Sequence, residues 1–155
     1  MIQRIQTVYL LLATILMSLT LFLPLATIIN GTSEIVVKAF AVSGLSDVTD
    51  TLPLYLGILL SITTALLMAI IFLFKKRMLQ IRLCVSAIVL LVGSAAFLGL
   101  YCYRLCDLLA ELNGDLVFTL GFASLMPIVA IIPVVLAIRG IAKDEALVRS
   151  LDRIR

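Results

Sequence analysis

The sequence predicts an all-α integral membrane protein with four transmembrane helices, both termini cytoplasmic, and a small extracytoplasmic β-ribbon between helices 1 and 2. Three observations predict it. Four apolar stretches divide the 155-residue chain, at about residues 7–29, 53–74, 83–103 and 116–138. Each is about twenty residues, which at ~1.5 Å of rise per residue matches a ~30 Å hydrocarbon core. Composition agrees: 63% hydrophobic residues, 14% charged and a mean hydropathy of +1.26 exclude an ordinary soluble domain. The third observation is the sorting of charge. Arg4, the group Lys75, Lys76, Arg77 and Arg82, and the tail's Arg139, Lys143, Arg149, Arg153 and Arg155 all lie in segments that alternate to one side, with Asp144, Glu145 and Asp152 as their acids. The other side carries only Lys38 and Arg104 but six acids, Glu34, Asp47, Asp50, Asp107, Glu111 and Asp115. Lys and Arg in short loops mark the cytoplasmic side, so both ends of the chain are expected inside.

Residues 1–155 read as a single membrane domain, because about fifty residues outside the spans are too few for a separate soluble core. The first span's apolar core runs from Val8 to about Ile29 with no small-x-small pattern after it. It is longer than a signal-peptide core, so it is expected to stay as an uncleaved anchor. Pro24 sits near its outer end, where a break in helical hydrogen bonding is tolerated. Asn30-Gly31 then separates two β-prone segments, Ala26–Ile29 and Glu34–Val42, which predicts a small ribbon, since both positions of an Asn-Gly turn accept positive φ. Pro53 opens span two at a first-turn position. Gly57, Ser61, Ala65 and Ala69 follow at four-residue spacing and place a helix-packing face along that span, for a neighbouring helix of the same chain or for a second copy.

Span three holds a looser set of small residues around Gly93 and Gly99, and span four holds Pro127 and Pro133. Both prolines are expected to kink that span and to free the carbonyls of Ala123 and Val129. There is no Trp, so Tyr9, Tyr55, Tyr101 and Tyr103, near the span ends, are the expected interfacial anchors. After the last span, residues 140–155 form a cytoplasmic amphipathic tail in which Leu147, Leu151 and Ile154 recur at helical spacing, with Val148 beside them. The tail mixes basic and acidic residues, which suits docking on protein as well as on an anionic lipid surface.

Little in the chain carries chemistry. Without His, imidazole acid–base catalysis and the commonest transition-metal ligand are missing. The middle of each span lacks Asp, Glu, Lys and Arg, which ion-coupled transport requires at depth. Cys102 and Cys106 are four apart near the outer end of span three, and Cys84 lies a full span away. Cysteines on adjacent turns seldom meet disulfide geometry, and free cysteines commonly pack as small hydrophobes. Arg104, Asp107, Glu111 and Asp115 form the most polar cluster, at the outer interface, and read as a solvated helix end. The basic surplus, with a pI of about 8.9, is accounted for by topogenic residues, so nucleic acid is not an expected partner.

The opening Met1-Ile2-Gln3-Arg4-Ile5-Gln6-Thr7-Val8-Tyr9-Leu10-Leu11-Leu12 and the ending Lys143-Asp144-Glu145-Ala146-Leu147-Val148-Arg149-Ser150-Leu151-Asp152-Arg153-Ile154-Arg155 resemble a domain-of-unknown-function family of short four-helix inner-membrane proteins frequent in Bacteroidota-type bacteria. The likeness runs from end to end, and the termini carry its specific part. It implies a bacterial cytoplasmic membrane and supplies no activity.

The functional expectation is a non-enzymatic accessory or scaffold protein that needs no cofactor. Its partners would be membrane lipid and a membrane-protein complex or a second copy, with Arg4, Lys143, Arg149, Asp152, Arg153 and Arg155 as contacts to partner or headgroup. Two alternatives stand beside it. One is a site for lipid, quinone or a neutral solute within the bundle near span four. The other is an outer-face thiol redox protein working through Cys102 and Cys106.

Overall fold

A computed structural model of the chain describes residues 3–30, 33–44, 52–73, 76–110 and 116–152. In chain order the elements are α1 (Gln3–Phe22), β1 (Ala26–Asn30), β2 (Ser33–Val37), β3 (Val42–Ser43), α2 (Leu52–Phe72), α3 (Arg77–Ala110), β4 (Leu116–Leu120), a 3-10 turn (Phe122–Leu125) and α4 (Met126–Asp152). Among the described residues, four stretches are long and apolar enough to cross a membrane: Ile5–Phe22, Pro53–Phe72, Arg77–Asp107 and Phe122–Leu147. The protein is therefore a mostly helical, multi-pass membrane protein with a small sheet.

The helices form a ring. α1 and α3 each pack against both α2 and α4, and the α1–α4 seam is the most extensive. Leu10, Met17, Leu60, Leu67, Leu91 and Val134 fill the interior. The outer faces are equally apolar, with Val8, Ile62, Val89 and Ile132 more than half exposed. In water such a surface would be unstable. In hydrocarbon it costs little, and helix association then rests on close packing rather than on the hydrophobic effect. Small side chains serve that packing along the α1–α4 seam, where Ala13, Ala130 and Ala137 are fully buried.

The sheet is larger than a ribbon. β1 and β2 pair antiparallel from Ala26↔Val37 to Asn30↔Ser33. The two connecting residues are thus 31 and 32, one place beyond an Asn30-Gly31 turn, and they lie outside the described residues. The apolar run expected to continue as one strand to Val42 instead folds back at Lys38–Ala41, where the Lys38 N–H donates to the Ala41 carbonyl at 2.9 Å. β3 then pairs with the end of β2. Side chains alternate as a half-buried sheet requires: Ala26, Ile28, Ile35 and Val37 face inward, while Ile29 and Glu34 face out.

The fourth strand corrects the expected start of the last span. Leu116–Leu120 is β4, paired antiparallel to β1 with Ile28 opposite Phe118, and the sheet order is β3-β2-β1-β4. Helix begins only after the strand, so Pro127 falls in the first turn of α4, where its missing N–H breaks no ladder. The Ala123 carbonyl, expected to be freed, accepts the Met126 N–H in the 3-10 turn. Pro133 is the proline inside the helix. The tail is helical as far as Asp152 and continues α4 without a break.

Gly121 couples strand to helix. Its N–H donates to the Leu25 carbonyl at 2.9 Å, and Leu25 N–H donates to Val37 at 2.8 Å. A Cβ at 121 would sit 2.9 Å from the Leu25 oxygen and 3.0 Å from its carbonyl carbon, closer still to the Pro24 oxygen. Backbone cannot yield as a side chain does. Gly121→Ala is therefore expected to destabilise the fold by about 1–3 kcal/mol, the range for overpacking. Gly99→Ala, where a Cβ meets nothing within 4 Å, should be neutral or up to ~1 kcal/mol stabilising as a helix substitution. Thermal unfolding of both variants in the same detergent checks the contrast.

Candidate functional site: the basic end of the bundle

The start of α1, the α2–α3 turn and the end of the last span meet opposite the sheet, and three polar side chains are buried there. Gln6, Gln80 and Asp144 are each less than one-tenth exposed. Gln6 Nε2 donates to Asp144 Oδ2 at 2.6 Å, across 138 residues of sequence. A donor to a carboxylate oxygen at that distance is a charge-assisted bond, and low surrounding polarity strengthens it. Arg77 adds a longer contact, NH1 to the Asp144 backbone carbonyl at 3.4 Å. Gln80 Nε2 donates to the Ile70 carbonyl at 3.3 Å. That oxygen, in the last turn of α2, also accepts the Leu73 N–H at 3.2 Å, so Gln80 ties the start of α3 to the end of α2.

Why Asp144 turns inward follows from helical spacing. Ala130, Val134, Ala137 and Ile141 are fully buried at steps of four, three and four, and Asp144 stands three further along the same seam. Gly140 makes room beside it: a Cβ at 140 would lie 3.0 Å from Gln6 Cγ. The opposite face of this extension is exposed at Arg139, Ala142, Lys143, Ala146 and Leu147. Leu147, expected on the tail's apolar stripe, is 49% exposed. The buried side of the extension is formed by Ile141 and Asp144.

The other residues that the sequence marks as candidates are spread over the molecule. Lys143 is exposed on α4. Arg4, Arg149 and Asp152 lie on the backbone of α1 and α4, but their side chains, like Arg153, Arg155, Leu151 and Ile154, fall outside the described residues. On α2, Gly57 is buried under the turn after β2, where a Cβ would come within 2.6 Å of Phe40 Cε1. Ser61 and Ala65 line a lateral cavity against α1. Ala69 is exposed. Cys84, Cys102 and Cys106 are free thiols on α3, the first two buried in the apolar core. Arg104 and Asp107 are exposed at the far end of α3, and Glu111 and Asp115 lie outside the described residues.

Sequence patterns alone do not group Gln6, Gln80, Arg77 and Asp144. A signal is nonetheless present: Gln6 and Asp144 are polar residues at positions in phase with a buried apolar seam. Gln6→Ala or Asp144→Ala should each cost about 1–2 kcal/mol, the upper range for a hydrogen bond between membrane helices. The double variant should cost clearly less than the sum, because both remove one bond. Either single change should speed tryptic cleavage after Lys143 relative to wild type; cleavage at an unchanged rate would mean the bond does not hold the tail.

Comparison with known proteins gives a family and no activity. No curated protein matches this chain. One family model, described as a domain of unknown function, covers residues 2–154, nearly the full length, and both termini that carry the buried Gln6–Asp144 bond fall within it. The chain belongs to this family, DUF4293.

Proposed function

We propose that this protein is a non-enzymatic accessory or scaffold subunit of the bacterial cytoplasmic membrane, with its basic end in the cytoplasm and its sheet outside. One observation carries the reading. α4 runs without a break from the membrane span to Asp152, and the buried Gln6–Asp144 bond anchors it at the point of exit. A helix held this way presents Arg139, Lys143 and Leu147 outward at fixed spacing, as a docking surface does. A tail serving topology alone needs cations but no rigid anchor.

Charge supports the orientation, since ten of the twelve Lys and Arg residues belong to the segments at this end. A fluorescent-protein fusion after residue 155 should therefore be bright, and an alkaline-phosphatase fusion at the same place inactive. The reverse pattern would overturn the orientation.

The docking role has its own test. Tagged protein expressed at native level and purified in mild detergent should bring a stoichiometric membrane-protein partner. Lys143→Ala combined with Arg149→Ala should lose that partner while insertion and thermal stability stay unchanged. A partner retained in full by the double variant, or wild type that purifies alone, would count against the scaffold reading.

A further inference from the structure

The ring of helices opens sideways between α1 and α2. A cavity of about 630 Å³ lies there, between residues 11–21 of α1 and 61–72 of α2, within the range of roughly 300–1,000 Å³ typical of small-ligand sites. Every hydroxyl on its wall is turned back onto its own helix. Thr14 donates to Leu10, Ser18 to Ile15, Ser61 to Gly57 and Thr64 to Leu60, all at 2.7–2.8 Å. The wall is left presenting hydrocarbon. Both flanking helices are apolar spans, so the groove faces lipid tails rather than water.

The charge at one end narrows the occupant. Towards the sheet the lining reaches Leu21, one residue short of the end of α1. At its other end it reaches Phe72, the last residue of α2. Lys76 follows closely, its N–H donating to the Leu73 carbonyl at 3.1 Å and its side chain exposed. Arg82, Arg139 and Lys143 are exposed on the neighbouring helices of this end, with Asp144 buried and Glu145 half-buried as the described acids. An apolar slot that ends beneath cations is complementary to a lipid of negative headgroup.

We infer that the α1–α2 groove holds one acyl chain of an anionic glycerophospholipid, whose phosphate lies at the α2–α3 turn beside Lys76. The full chain, purified in mild detergent and given equimolar phosphatidylglycerol and phosphatidylcholine with identical tails, tests this by native mass spectrometry. Wild type should retain one phosphatidylglycerol in preference to phosphatidylcholine. Ala65→Phe, which fills the groove from an exposed position, should lose both lipids, and Ser61→Leu one turn away should reproduce the loss. Lys76→Gln should lower phosphatidylglycerol retention by about fivefold, as loss of one interfacial cation predicts, and leave phosphatidylcholine unchanged. Equal retention of the two lipids by wild type would overturn the headgroup assignment. Undiminished retention by both groove-filling variants would overturn the site. A dimer that they convert to monomer with lipid unchanged would show that a second copy occupies the groove.

Discussion

Backbone hydrogen bonds between β1 and β4 join segments about ninety residues apart, and the arrangement of the helices depends on that pairing. β1 follows α1 within a few residues and β4 precedes α4 by a single short turn. Pairing them brings the first and last helices side by side and closes the ring. Gly121 makes the junction tight, because its N–H reaches the Leu25 carbonyl and no Cβ intervenes. At the opposite end the same two helices are joined again, by Gln6 and Asp144. The α1–α4 seam is thus clipped at both ends, while the α1–α2 seam spreads enough to leave a cavity.

This asymmetry gives the two ends of the molecule different characters. The sheet end is joined by backbone bonds, and its charges are mostly acidic. The basic end uses side chains, and those it buries are amides and a carboxylate on three different helices. Between them the membrane-facing hydroxyls return to their own carbonyls, as they must where water is excluded. Both proposed contact sites lie where hydrocarbon ends: the exposed face of the α4 extension and the end of the α1–α2 groove nearest Lys76.

Much of this was legible in the sequence, for physical reasons that also explain the misses. Apolar length gave four spans because membrane thickness sets helix length, and the β-branched residues around Asn30-Gly31 gave the ribbon. Leu116–Leu120 was absorbed into span four because a short apolar run has no periodicity that separates strand from helix. Gly121, in the middle of that run, was the available mark of a boundary. The partnership of Gln6 with Asp144 was out of reach for a different reason. Each is an ordinary polar residue near a span end, and only three-dimensional closure shows that both point inward. Proline suggests a broken helix at Pro127 and Pro133, whereas the lateral cavity lies between α1 and α2, where small side chains leave space without breaking anything.

The position of β4 has a consequence for biogenesis. The partner strand of β1 is encoded after the third span, so in the proposed orientation it reaches the far side of the membrane only when α3 has crossed. Until then β1 has one neighbour, β2, and its other edge is an open row of backbone donors and acceptors, a template for pairing with the wrong chain. Ring closure is therefore a late event, reserved for a chain whose last third has been delivered, and a nascent chain stalled after α3 is left with a sticky edge instead of a finished sheet.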